Sequence, residues 1–330
     1  MRFRRSLALG AVALSLASGA PAHAQPSGTL TVYTSQPTEQ MAEVIAAFNE
    51  AHPDVEVELF RSGTTEVMNK LQAEFAAGDP KPDVLLIADA VAMTQLKDDG
   101  RLMAYADAAA GATPEALIDP DRTFFGTKLI TTGIIYNTNL VQQPPRSWND
   151  LLAEDAASSL IMPSPLYSGA AAIHVGTVVQ QPEFGWDYYE KLAEGGAVAG
   201  KGNGSVVEAV ARGEKAYGII IEYMALNAKE KGSPVDWVAP EEGVTIITQP
   251  VGILKTASNP EAAKAFVDWQ LSEAAQSQSV RQGYYPATPD VAPPKGYPAL
   301  SALKFIEADP QLLLKQDDET KRKFADLFGG

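Results

Sequence analysis

Hydroxyl, amide and glycine residues recur where apolar runs end and helical patterns begin. Ser35-Gln36 follows Leu30–Tyr33, and Arg61-Ser62-Gly63-Thr64-Thr65 follows an alternating run from Val55 to Phe60. Tyr167-Ser168-Gly169-Ala170 and Asn203-Gly204-Ser205 occupy the same kind of place later in the chain. A helix start offers unpaired N–H groups and the positive end of the helix dipole, and Ser or Thr adds donors. Residues of this kind hold an oxyanion without Lys or Arg. Each serine alone is equally a plain N-cap; recurrence after several strands is what points to a shared site. Two acids, Asp89 and Glu222, also follow strongly apolar runs. On one cleft they would suit an ammonium group or a metal ion, while singly each is equally a cap or a lysine's partner. Tyr188-Tyr189 beside Trp186 read as core, and Tyr284-Tyr285 as either core or ligand contacts.

Composition removes most other chemistry. The 330 residues include no Cys and three His, which excludes thiolate zinc sites, iron–sulfur clusters, disulfides and a Cys nucleophile. Ser–His–Asp catalysis would need His174, which sits in the apolar run AAAIHVG and reads as packing. There is no G-x-S-x-G elbow, no phosphate loop ending in Gly-Lys-Ser/Thr and no H-E-x-x-H. The glycine-rich Gly200-Lys201-Gly202-Asn203-Gly204 lacks a dinucleotide fingerprint. A net charge of -15 argues against a nucleic-acid partner. No catalytic centre is expected.

The elements that must position these residues alternate. With 45% hydrophobic residues the chain folds around a sizeable core, and its length suggests two domains at roughly 150 residues each. Arg2, Arg4 and Arg5, the apolar Leu7–Leu16 and Ala22-His23-Ala24 form an export leader cut near Ala24. That stretch is too short to span a bilayer. Its loss removes three Arg and no acids, taking the charge from -15 to -18, and the mature protein is expected in the periplasm. Strand–helix–strand order then predicts a parallel sheet with right-handed crossovers. Lys128–Asn137 is expected to cross into a second lobe and Thr245–Gly252 to return. Residues 25–130 are thus assigned to a first lobe, 131–250 to a second, and 251–330 to a return into the first with C-terminal helices. The expected fold class is α/β, two lobes joined by extended crossings.

The passages LTVYTSQPTEQM, PDVLLIAD, GTKLITTGIIYNTNLV, PSPLYSGAAA, GNGSVVEAVARGEKAYGI and NPEAAKAFVDWQLSEAAQ resemble periplasmic solute-binding proteins of ABC importers. The likeness runs from about Leu30 to Phe328, within the group of ferric-ion, sugar-phosphate and 2-aminoethylphosphonate binders. It implies a type II two-lobed fold, each lobe a mixed, mostly parallel sheet flanked by helices and joined by hinge strands. The lobes of such proteins close on a solute, and the closed form docks on an inner-membrane permease; no cofactor is implied, and a monomer is expected. In the ferric binders the segment matching Ser168-Gly169-Ala170, with the Asn matching Asn203, holds a phosphate-type anion. Their two adjacent tyrosines are matched here by Glu222 and Tyr223, and a His ligand by Ser35-Gln36. The first-lobe acid is matched by Asp89. An anion pocket beside carboxylates suits a zwitterion, so the resemblance implies 2-aminoethylphosphonate. Ser35, Ser62, Thr64, Ser168, Gly169, Ala170 and Asn203 would take the phosphonate. Glu222, with Asp89, would take the ammonium, and Tyr167 and Tyr223 would pack on the linker. A ferric carrier using Asp89, Glu222 and Tyr223 with a synergistic anion stays open. So does a sugar-phosphate binder, against which the charge of Glu222 counts. A secreted phosphonate or phosphate hydrolase is the alternative of another class.

Overall fold

The computed structural model describes residues 25–329, so the expected leader, residues 1–24, lies outside the described residues. In chain order the elements are β1 (Gly28–Thr34), α1 (Thr38–Ala51), β2 (Val55–Arg61), α2 (Thr64–Ala77), β3 (Val84–Leu86), α3 (Ala90–Asp98) and β4 (Phe124–Asn137). Next come α4 (Glu154–Ser158), β5 (Leu160–Pro163), α5 (Gly169–Val179), α6 (Gly185–Glu194), β6 (Val198–Gly200), α7 (Asn203–Ala211) and β7 (Tyr217–Ile221). The chain ends with α8 (Glu222–Glu230), β8 (Val235–Val238), β9 (Thr245–Ile253), α9 (Pro260–Leu271), α10 (Glu273–Arg281), β10 (Tyr285–Pro286) and α11 (Pro310–Phe328). No helix among the described residues is long and apolar enough to cross a membrane.

Period-two alternation builds both lobes. Along β1 and β3, Leu30, Val32, Val84 and Leu86 enter one buried cluster, with Phe48 and Phe266. Their neighbours Tyr33, Leu85 and Ile87 enter another, with Val67, Leu71 and Met93. Successive side chains point to opposite faces, so a sheet covered on both sides needs apolar residues at every position. The second lobe repeats this pattern: Leu160, Met162 and Ile219 pack on one face, Ile161 and Ile220 on the other.

The strand order β2-β1-β3-β9-β4-β7-β5-β6 joins the lobes through two antiparallel strands. The 14-residue β4 pairs with β9 along its first part and with β7 and β8 along its second. β9 in turn pairs with β3 of the first lobe. The two expected crossings are therefore paired to each other, and the register between them slips between Gly126 and Leu129. One expectation needs correcting. Helix α11 is expected in the return to the first lobe, but it bridges the two: Phe324 is fully buried in the second lobe's core, and α11 packs on α5 and α6 there and on α3 of the first lobe. An amphipathic stripe shows that a helix is covered, and not by which lobe.

Candidate functional site

A cleft of about 550 Å³ opens between the lobes. Five helices present their first turns to it: Thr38 and Glu39 of α1, Thr64 of α2, Ala170 of α5, Asn203, Gly204 and Ser205 of α7, and Tyr223 and Met224 of α8. Such convergence stacks N–H donors and positive dipole ends around one volume. The caps are local and sequence-driven. Ser168 is the N-cap of α5, its Oγ accepting from the Ala171 N–H at 3.3 Å and from Asn203 Nδ2 at 3.2 Å. That second bond ties the start of α7 to the start of α5. Ser205 Oγ donates to the Gly202 carbonyl at 2.8 Å and holds the turn before α7.

From the first lobe, Ser35 Oγ accepts from the Ala88 N–H at 3.0 Å. Arg61, at the end of β2, aims its guanidinium along the same edge. Its Nε donates to the Gln36 carbonyl at 3.2 Å, and its two terminal nitrogens to the Ser35 carbonyl at 3.3 Å and the Tyr167 hydroxyl at 3.4 Å. Lys201 stands 4.7 Å from the centroid of the Tyr167 ring and 3.3 Å from Glu66. Both cations line the cleft. This corrects the expectation of an anion seat free of Lys and Arg: net charge is a property of the whole chain and does not report one cleft.

The lobes meet closely around the opening. The Thr65 N–H donates to the Tyr167 carbonyl at 3.3 Å, and Thr65 Oγ1 donates to the Pro165 carbonyl at 3.1 Å. Glycine makes the approach possible. A Cβ at Gly63 would overlap the Tyr167 carbonyl and lie 2.7 Å from two atoms of its ring. A Cβ at Gly169 would lie 2.9 Å from both the Ala88 carbonyl and Thr64 Cβ.

Of the residues expected from sequence, Ser35, Thr64, Tyr167, Ser168, Ala170, Asn203 and Tyr223 line this cleft. Gly169 serves the seam instead, and Ser62 Oγ donates to Glu66. The two acids are placed elsewhere. Asp89 is 5% exposed and caps α3, accepting from the Ala92 N–H at 2.9 Å; burial above all raises its pKa to about 6. Glu222 is fully buried and accepts from the Thr131 N–H of β4. These placements remove both carboxylates from the expected ammonium site, and leave Tyr223 as the one cleft-lining member of the alternative ferric trio. Consecutive helical residues point about 100° apart, so Tyr223 and Met224 reach the cleft while Glu222 turns to the sheet. Tyr223 stacks on Tyr284 at 4.4 Å, and burial raises its pKa to about 12. Arg61, Lys201, Gln36 and Glu39 were not among the expected ligand residues but line the cleft; Arg61, the last residue of β2, and Gln36, two residues beyond β1, stood in the strand-end segments that carried the signal.

Burial raises the Glu222 carboxyl to about 8 from its ordinary 4.5. The folded state then holds a proton that the unfolded chain has lost. Its stabilising contribution is full below 4.5 and disappears as pH rises through about 8. Glu222→Gln mimics the protonated acid. We expect urea unfolding to show wild type losing on the order of 5 kcal/mol relative to the variant across that window. Solute affinity at neutral pH should be unchanged. Parallel stability curves, or a variant with impaired binding, would contradict this placement.

Residues 34–277 match the family described as bacterial extracellular solute-binding protein. A Sinorhizobium fredii protein, y4fP, described as a "probable ABC transporter periplasmic-binding protein", is 24% identical over 92% of this chain and 86% of its own length. Among solved structures, the periplasmic binding protein AfuA of Actinobacillus pleuropneumoniae, with fructose-6-phosphate bound, superposes with a TM-score of 0.84 at 24% identity. The match covers 92% of this chain and 99% of that one. Iron-bound HitA of Pseudomonas aeruginosa gives 0.77 at 21% identity, over 90% and 99%. Both structural likenesses bear on the fold, a type II periplasmic binding protein. With more than half of its length matched, the chain belongs to the bacterial extracellular solute-binding protein family.

Proposed function

We propose that the protein is the periplasmic solute-binding component of an ABC transporter and captures a small organic phosphate or phosphonate. The observation that carries this reading is the convergence of helix starts with Arg61 and Lys201 on one cleft. A phosphoryl group needs several donors at once, and backbone N–H groups at helix starts supply them with little reorganisation. The joined starts of α5 and α7, with Ser168, Ala170 and Asn203, form its seat, and Arg61 approaches from the other lobe. The charge of Glu222 no longer counts against a sugar phosphate, because that carboxyl is buried away from the cleft. A cleft of about 550 Å³ also leaves room for a hexose phosphate. The narrower reading, 2-aminoethylphosphonate, uses the same seat, with Glu39 as the cleft carboxylate for its ammonium.

Isothermal titration of the mature, ligand-stripped protein tests this, with fructose 6-phosphate, 2-aminoethylphosphonate, inorganic phosphate and ferric citrate in parallel. Tight binding of either organic phosphoryl compound supports the reading, and which one binds distinguishes the two solutes. Asn203→Asp places a like charge at the seat and should cost at least about a hundredfold in affinity. Ferric binding with a visible charge-transfer band and no phosphoryl binding would overturn the reading.

A further inference from the structure

Lys128 is a fully buried lysine at the irregularity in β4 where the register against β9 slips. Its Nζ donates to Gln36 Oε1 at 2.8 Å and lies 4.8 Å from the centroid of the Tyr284 ring. Gln36 and Tyr284 both line the cleft, so the ammonium sits one residue beneath the cleft floor. Gln36 is pinned from its other end, its Nε2 donating to Gln282 Oε1 at 3.0 Å, while Gln282 Nε2 donates to Glu43 at 2.8 Å. That glutamine pair fixes which end of the Gln36 amide faces the lysine.

The groups packed around Lys128 supply no counter-charge. On its own strand, Thr127 is bonded to the Gln249 carbonyl of β9, and Pro286 of β10 is its register partner. Gln276 of α10 reaches the adjacent Thr127 carbonyl. Tyr284 offers its ring face, and burial holds its hydroxyl protonated. Arg61 lies on the cleft side of Gln36, and Glu43 at the far end of the glutamine pair. Among the described residues no carboxylate forms an ion pair with Lys128.

A buried cation without an ion-pair partner is costly, and opposite charge brought near it in a poorly screened interior is strongly favoured. The nearest open volume that can receive such a charge is the cleft. We propose that Lys128 is a specificity-determining residue, a cation beneath the cleft floor that makes capture depend on the solute's charge and favours a phosphoryl dianion over a monoanion. This rests on the phosphoryl reading of the cleft. Burial lowers the Lys128 pKa to about 7, so a bound dianion also draws a proton onto it. Lys128 touches no solute itself; it acts through Gln36 and through its field.

The test compares wild type with Lys128→Met by titration calorimetry at about pH 7.5 in buffers of different ionisation enthalpy. Fructose 6-phosphate and 2-aminoethylphosphonate are the phosphoryl probes, and glucose 6-sulfate is the monoanionic control. Wild type should take up more protons per bound phosphoryl solute than the variant, and prefer phosphoryl compounds to the sulfate by about tenfold more than the variant does. Binding with equal proton counts and equal preference in the two proteins would overturn the role of Lys128 alone. Failure of wild type to bind either phosphoryl probe would overturn the cleft reading, and this proposal with it.

Discussion

Replacing Arg61 with Met should lower the affinity for a phosphoryl solute by about a hundredfold or more, roughly 3 kcal/mol, with the fold intact. In the proposed seat the guanidinium is the charge that the first lobe brings to donors supplied mainly by the second. It is held by two backbone carbonyls, those of Ser35 and Gln36, and by the Tyr167 hydroxyl across the seam. Removing it would delete the charge-assisted bonds proposed between Arg61 and the solute, together with one link between the lobes. Because the side chain is exposed, ligand-free stability should change by less than about 1 kcal/mol. Arg61→Lys should recover only part of the loss, since a point charge cannot donate along this edge and to the solute as a planar fork does. The salt dependence of binding should also become shallower in Arg61→Met. Calorimetry at two ionic strengths reads both effects. Unchanged affinity would remove Arg61 from the site.

Gly63→Ala should block closure without harming the lobe that carries it. Gly63 is the N-cap of α2 with φ -63 and ψ 153, a backbone conformation that alanine adopts freely. In the isolated lobe the change is therefore neutral or mildly stabilising, through a less flexible unfolded chain. In the closed form the new Cβ would overlap the Tyr167 carbonyl and ring. Relief requires the lobes to part, and with them the Thr65 bonds to Tyr167 and Pro165. A closed state made less favourable by about 3 kcal/mol lowers apparent affinity about a hundredfold. Small-angle scattering should show wild type contracting on ligand addition and Gly63→Ala remaining extended. A variant that contracts and binds as wild type does would show that the seam tolerates a methyl group.

The parts of the molecule legible in sequence are those set by local physics. The Ser168 cap, the strands at Gly28–Thr34 and Val55–Arg61 and the long crossing strands Phe124–Asn137 and Thr245–Ile253 follow from neighbouring residues alone. Tyr188 and Tyr189 joined the core as their helical spacing suggested. The rest depends on direction and on long-range packing. An acid after an apolar strand looks the same whether it opens to a cleft or turns inward; Asp89 turned back to cap α3, and Glu222 to Thr131. Arg61 ends a strand whose alternation says which face it occupies, but not that its long side chain reaches Gln36 and Tyr167. The closing contacts of Gly63 and Gly169 join residues about a hundred positions apart, beyond any local pattern. Lys128 was legible only as part of a crossing strand, because its neighbours come from two distant segments, at Gln36 and at Tyr284–Pro286.

A crystal structure at about 2 Å of the mature protein loaded with its tightest phosphoryl binder would show directly where the solute's charge sits. The phosphoryl oxygens should lie within about 3 Å of donors at the starts of α5 and α7, with Arg61 closing from the first lobe. A solute lying with its phosphoryl group away from Ser168, Ala170 and Asn203, and its uncharged end at those helix starts, would contradict it.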